Sequence, residues 1–302
     1  MSGLRLPSRC ALLLVMSAAV PAERQEDSAL RDPWDAVREA INDSGIEAAI
    51  LTVMVNDTVV FTHSVGGVTE ATTQDLWSAS KLVAAVAIMR EVELGTLQVS
   101  DLVNQHLNFW PTDPSDSRSA ITLRHLLGFA SGYTDITQTW GYILPLVCVS
   151  GDIQACARGV LDQYEHTHPA GTMLDYNSIH LTIAGAMVEA AAGEPIERIV
   201  QRNVLDPSGM VNTRYLQDPT QGNPFLAGGL VSTPGDYRLF MGSLLGGRLV
   251  CADTLDEILS NAHPEAGKDG FLALLSARYG LGESTPDLAL LQPASSLNIC
   301  AN

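Results

Sequence analysis

The period of apolar and polar positions changes several times along the chain. Glu47 to Val55 is apolar and β-branched, Asn56-Asp57 offers a turn, and Thr58 to His63 reads as a second strand, so the pattern predicts a β-hairpin. Ahead of it, Pro33 to Asp43 places Trp34, Val37, Ala40 and Ile41 on one side of a helix, with Asp32 as N-cap and Pro33 in the first position. After it, DLWSASKLVAAVAIMREVELGTL, Asp75 to Leu97, reads as one amphipathic helix. Further helices are predicted at Leu123 to Leu127, Gln154 to Gln163, Ile179 to Ala192, Ile196 to Val204, Pro234 to Leu245 and Thr254 to Asn261. Loops rich in Pro, Asp, Ser and Gly separate them. A strand hairpin followed mostly by helices predicts an α+β protein, and no linker, repeat or low-complexity tract divides it.

Composition sets the limits of that picture. The 302 residues are 46% hydrophobic and 17% charged, which supplies enough apolar surface for a sizeable core. A formal net charge of -17 without a Lys/Arg cluster argues against nucleic acid or an anionic membrane surface as a partner. At the N-terminus, Arg5 and Arg9 precede the apolar run Ala11 to Val20, which is too short to span a bilayer, and Ala18, Val20 and Ala22 are small enough for cleavage. The expectation is a signal peptide over 1–22, a secreted mature domain over 23–302 and no stable membrane insertion. A disordered leader or a hydrophobic N-terminal helix is the competing reading.

Removing Cys10 with that segment leaves Cys148, Cys156, Cys251 and Cys300. Ser150-Gly151-Asp152 can turn the chain back between the first two, so an oxidising compartment predicts a Cys148–Cys156 disulfide, with two buried thiols as the alternative. Two glycosylation sequons occur, Asn42-Asp43-Ser44 and Asn56-Asp57-Thr58.

Candidate chemistry begins with Ser78-Ala79-Ser80-Lys81. Lysine is scarce, since only Lys81 and Lys268 occur, yet one stands three residues after a serine at the head of an apolar helix. Helical i and i+3 side chains lie about 5–6 Å apart at Cβ, so the amine reaches the hydroxyl. A serine hydroxyl is a weak nucleophile until a base takes its proton, and a lysine serves as that base only when burial or a neighbouring positive charge lowers its pKa. Leu82, Val83, Ala85, Val86 and Ile88 are apolar enough to bury the first turn. Alone, S-x-x-K is weak, and a surface lysine at a helix start is the ordinary explanation.

The order of motifs downstream changes that weighting. Ile121-Thr122-Leu123-Arg124-His125-Leu126-Leu127 leads into Ala130-Ser131-Gly132, and Pro169-Ala170-Gly171-Thr172 into Asp175-Tyr176-Asn177-Ser178. Leu205-Asp206-Pro207-Ser208-Gly209-Met210 with Thr213 follows, then Ala227-Gly228-Gly229-Leu230-Val231-Ser232-Thr233 with Asp236, and finally Tyr279-Gly280-Leu281-Gly282. In this order and spacing the chain resembles the serine β-lactamase-like family, whose members include class C β-lactamases, D-alanyl-D-alanine peptidases and related esterases. The resemblance runs from about Trp34 to Gly282. It implies a β-lactamase/transpeptidase-like fold, with an antiparallel sheet beside a mostly helical domain.

By that resemblance Ser78 matches the acylated nucleophile, Lys81 its proton-handling lysine, and Tyr176 the phenol that passes a proton to the leaving group. The second motif departs from Y-x-N: Asn177 falls one place early and Ser178 stands at the third position, so either is the expected substrate-binding residue. The resemblance also implies a third motif, K-T-G or H-x-G, on a strand after Tyr279-Gly280-Leu281-Gly282. ESTPDLALLQPASSLNICAN, Glu283 to Asn302, contains no Gly, Lys or His, so the expectation is a domain truncated at its C-terminus relative to the family, with an incomplete sheet and impaired turnover.

The expected function is therefore acyl transfer on a small-molecule ester, lactone, β-lactam or amide. A pseudoenzyme or non-catalytic binding or scaffold protein of the same fold is the alternative. No metal or cofactor is expected: Glu165-His166-Thr167-His168 reads as a solvated loop rather than a zinc site, and Gly228-Gly229 as close backbone packing rather than a phosphate loop.

Overall fold

The computed structural model describes residues 13–17, 32–55, 57–134, 152–216, 223–260, 262–263, 265–268, 278–279 and 284–285. Strand β1 (Leu13–Ser17) is followed by helix α1 (Asp35–Asp43) and the hairpin β2 (Ala49–Val55) and β3 (Thr58–Val65). The three strands form one sheet in the order β1-β2-β3, with β1 parallel and β3 antiparallel to β2. Residues 13–17 thus pair along the β2 edge of the hairpin. Asp57 turns the hairpin at φ +60°, and Trp34, just ahead of α1, stacks on Phe61 of β3 at 4.5 Å between ring centroids. The helix starts at Asp35, two residues later than predicted, and Asp32 holds the turn ahead of it, its O accepting from Asp35 N–H at 2.9 Å. Its carboxylate accepts from the Trp34 N–H at 3.0 Å and from Arg38 at 2.7 Å.

The remaining strands are short. They are β4 (Gln74–Asp75), β5 (Met173–Leu174), β6 (Arg214–Tyr215), β7 (Leu230–Ser232), β8 (Gly267–Lys268), β9 (Arg278–Tyr279) and β10 (Ser284–Thr285). Strands β4, β7 and β6 form an antiparallel sheet in that order. The helices are α2 (Ser80–Glu93), α3 (Val103–His106), α4 (Leu123–Leu127), α5 (Ile153–Gln163), α6 (Ile179–Ala192), α7 (Ile196–Val200), α8 (Asp206–Ser208), α9 (Pro234–Leu245) and α10 (Ala252–Leu259). The segment predicted as one helix from Ile196 continues beyond α7 through a wide π-turn at Gln201–Leu205 into α8, and Gly209 ends it at φ +74°.

Helix α2 differs most from expectation. Every residue from Ser80 to Met89 is buried, so it is a central core helix rather than an amphipathic one. It packs against α6, α7, α10 and the π-turn. Its C-terminal half is fixed by Glu91, which is buried and accepts hydrogen bonds from Arg202 (2.7 Å), Asn203 (2.6 Å) and Thr96 (2.8 Å). Burial pulls the Glu91 pKa up, but these donors outweigh it and leave the carboxylate below its ordinary range. Among the described residues, no helix is long and apolar enough to cross a membrane.

Candidate functional site

Ser78 does not lie in the helix proper. Asp75 ends β4, and Trp77–Ala79 forms a single 3₁₀ turn that delivers the chain into α2. Two bonds to β7 pin this entry: Leu76 N–H donates to Leu230 O (2.8 Å), and Leu230 N–H donates to Ser80 Oγ (3.2 Å). Trp77 takes φ +47°, a left-handed conformation that costs a non-glycine residue on the order of 1–2 kcal/mol. The result is an exposed Ser78 directly before a helix that is buried from its first residue.

Lys81 is on the buried side of that boundary, only 5% exposed. Its Nζ lies 3.0 Å from Ser78 Oγ, donates to Ala227 O at 2.7 Å, and stands 4.6 Å from the centroid of the Tyr176 ring. Burial lowers the amine from its ordinary value of 10.5 to about 7, which makes a neutral, proton-accepting lysine accessible near neutral pH. Tyr176 completes the cluster. Burial pushes its phenol up, and a hydrogen bond with Ser78 pulls it back. Ser78, Lys81 and Tyr176 therefore share one hydrogen-bonded cluster although their chain positions span nearly a hundred residues.

The two residues after Tyr176 are placed differently. Asn177 is buried, and its amide donates to Tyr133 O and Asp175 Oδ1, both at 3.1 Å, while its Oδ1 accepts from Ile179 N–H at 3.0 Å. It is spent on holding the turn. Ser178 is half-buried at the start of α6, where its carbonyl accepts from Thr182.

Several motif residues serve the walls of the site. Thr233 caps α9, accepting from Asp236 N–H at 3.2 Å, and the Asp236 carboxylate accepts from Thr213 Oγ1 (2.8 Å) and Asn212 N–H (2.7 Å). Gly229 needs its missing side chain, because a Cβ there would collide with Pro224 O and sit 2.9 Å from Phe225 O. That close packing brings Ala227 O to Lys81. Three bulky residues at this site hold positive φ: Trp77, Phe225 at +55° and Phe129 at +56°. Such strain collects where surrounding structure over-determines the backbone.

His166 is not a solvated loop residue. Its Nε2 bonds Ser131 O at 2.8 Å and its Nδ1 bonds Ser117 Oγ at 2.9 Å. Among the described residues no group of three or more His, Cys, Asp or Glu is placed to hold a metal. Cys156 is buried on α5, and Cys148 lies outside the described residues.

Ala227 and Ser131 fall within motifs but carry no role readable from the sequence, and His180 falls in none; Ala227 contributes a carbonyl, and Ser131 and His180 pair behind Tyr176. His180 carried a faint signal, as a histidine in a mostly apolar helix four places after Tyr176. Nothing in the sequence points to one carbonyl 146 positions from Lys81.

Known proteins resemble this chain in sequence and in fold. Over 168 residues (53% of this chain, 36% of the other) the chain is 24% identical to the "Putative D-alanyl-D-alanine carboxypeptidase" of Escherichia coli O157:H7. Over 138 residues (46% of this chain, 32% of the other) it is 28% identical to the "Putative penicillin-binding protein PbpX" of Bacillus subtilis strain 168. The chain thus spans about a third of the length of these curated relatives. Among solved structures, a β-lactamase-like protein from Bacteroides dorei DSM 17855 superposes with a TM-score of 0.65 at 26% identity, covering 83% of this chain and 77% of that one. A sequence profile described as Beta-lactamase matches residues 34–285, from the Trp34 contact on the hairpin to the last described strand, and the chain belongs to that family.

Proposed function

We propose that this chain is a secreted serine hydrolase that works by acyl transfer, with Ser78 as nucleophile, Lys81 as its base and Tyr176 as the proton relay. The observation that carries the reading is the 3.0 Å contact between an exposed Ser78 hydroxyl and a buried Lys81 amine whose pKa is brought to about 7. The Ser78 proton passes to Lys81 Nζ as Oγ bonds the acyl carbon, and the carbonyl electrons move onto oxygen. The Ser78 N–H, before a fourteen-residue helix, offers that oxyanion one donor and a favourable dipole. When the intermediate collapses, the leaving group departs with a proton from the Tyr176 hydroxyl, which recovers one from Lys81. The ring face 4.6 Å from Nζ stabilises the ammonium in the interval. Water then attacks the acyl carbon and the sequence reverses.

Substrates in this reading are small acyl compounds: esters, lactones, β-lactams or D-Ala-type amides. The carboxypeptidase naming of the Escherichia coli relative favours amides. Ser178, more than Asn177, is free to meet the substrate amide, since Asn177 is committed to the turn. Residues 1–22 act as the signal peptide, whose removal takes β1 (Leu13–Ser17) out of the sheet, and Cys148 bridges Cys156 after export.

The test is labelling by a fluorophosphonate probe, wild type against Ser78→Ala, followed by nitrophenyl ester hydrolysis. Ser78-dependent labelling is the expected result. No labelling of a folded wild type would sink the reading, while labelling without Ser78-dependent turnover would place the chain among catalytically impaired members of the fold.

A further inference from the structure

Behind the Tyr176 ring lies a polar pair with no part in the reaction described above. His180, on the first turn of α6, is wholly buried. Its Nε2 lies 2.8 Å from Asp175 O and its Nδ1 lies 2.9 Å from the equally buried Ser131 Oγ. A carbonyl only accepts, so Nε2 carries the proton and Nδ1 accepts from the Ser131 hydroxyl. Asp175 O belongs to the peptide unit that joins Asp175 to Tyr176.

The same segment is tied to the 129–133 loop elsewhere. Asp175 N–H donates to Phe129 O at 2.9 Å, and Asn177 Nδ2 donates to Tyr133 O at 3.1 Å. Phe129 fills the angle between the two rings, edge-on to His180 at 5.5 Å and tilted against Tyr176 at 5.2 Å. Ser131 is in turn fixed from its other side, where its carbonyl accepts from His166. Two apolar residues would fill this space without the cost of desolvating a hydroxyl and an imidazole. What the polar pair adds is direction, because it fixes where the Asp175 carbonyl points and therefore where the Tyr176 backbone starts.

We propose that His180 is the positioning residue for Tyr176: by tying Asp175 O to Ser131 it holds the phenol in register with Ser78 and Lys81. The inference rests on the proposed function in that Tyr176 is the group being positioned. The histidine touches neither substrate nor nucleophile and acts only through the Tyr176 peptide.

The experiment compares His180→Leu, which removes both bonds, with His180→Gln, whose amide N–H can still reach Asp175 O. Fluorophosphonate labelling of Ser78 is resolved into its maximal rate and its half-saturating probe concentration, in wild-type and Tyr176→Phe backgrounds. An ångström-scale shift of a catalytic group costs up to about 100-fold in rate, so His180→Leu should slow the maximal rate on the order of 10- to 100-fold with little change in half-saturation. His180→Gln should recover most of it. In the Tyr176→Phe background His180→Leu should add almost nothing, because both changes remove the same contribution.

Equal losses for Leu and Gln, a loss confined to half-saturation, or a full additional loss without the phenol would overturn the inference. Amide exchange across residues 175–178 gives a readout independent of reactivity. It should be roughly tenfold faster in His180→Leu than in wild type and near wild type in His180→Gln, and unchanged exchange in His180→Leu would overturn the inference even if Ser78 proves unreactive. Should His180→Leu fail to fold, Ser131→Ala replaces it, with the same pattern expected at smaller amplitude.

Discussion

Replacing Lys81 by Met separates the cost of the buried amine from its chemical use. Lys81 is almost fully buried, and burial lowers it from 10.5 to about 7. At 1.36 kcal/mol per pKa unit, holding the ammonium in the fold costs on the order of 5 kcal/mol below pH 7. Met has similar length and no charge. Its substitution leaves Ala227 O without its donor, which returns roughly 1 kcal/mol, so Lys81→Met should be the more stable protein at pH 7 by about 3 kcal/mol. The sign with pH follows from proton counts. Between pH 7 and 10.5 the unfolded lysine keeps a proton that the folded one has lost, so the unfolded state binds more protons and wild-type stability rises with pH. Relative to the Met variant, wild type should gain about 2 kcal/mol from pH 7 to pH 9. Urea unfolding of both proteins at the two pH values measures this directly. A stability difference that does not move between pH 7 and 9 would mean that Lys81 stays protonated in the folded protein, and its role as the Ser78 base would fall with it.

Acid should act through the buried histidines: burial lowers both His180 and His125 from 6.5 to about 4, so the unfolded chain binds the extra protons between those values. Stability should fall as pH drops from about 6.5 to 4, by on the order of 3 kcal/mol for His180, and His180→Gln should lose less over that window; equal slopes in urea titrations would contradict it. Gly132→Ala should cost about 1–3 kcal/mol and slow Ser78 labelling, because φ is +93° and a Cβ would strike His168 O and lie 2.5 Å from His166 Nε2; an unchanged thermal midpoint would refute the account of that loop. Thiol titration of the denatured, unreduced mature protein should find Cys148 and Cys156 unreactive, and reaction of both would remove the proposed bridge.

Most helices were legible because their apolar period runs the length of the element. Ile179 to Ala192 and Pro234 to Leu245 match the structure at both ends, where Gly193 takes φ +65° and Thr233 caps α9 with its side chain. The start of α2 was not legible for a reason internal to its pattern. Leu76, Ser80 and Val83 continue helical spacing, but the backbone at Asp75 and Leu76 pairs with β7, 150 or more residues away, and Trp77 pays for the turn with a positive φ. Long-range pairing outranks local propensity there. In the second motif, residue identity left Asn177 and Ser178 as alternatives, and in the fold the Asn177 amide bonds Tyr133, Asp175 and Ile179. Only the fold could reveal those bonds.

The S-x-x-K spacing acquires meaning from where the protein surface cuts it. On a solvent-exposed helix the same two residues would be a serine beside a permanently charged lysine, without a usable base. Here the boundary between water and core falls between Ala79, which is exposed, and Ser80, which is buried. One helical turn therefore carries the chain from a hydroxyl wet enough to meet a substrate to an amine dry enough to give up its proton near neutrality. The 3₁₀ turn and the strained Trp77 set the phase of that crossing, since a helix begun at Asp75 would rotate Ser78 by a different amount relative to Lys81. The apolar run Leu82 to Met89, expected from the sequence to bury the first turn, is buried throughout and supplies the desolvation that lowers the Lys81 pKa.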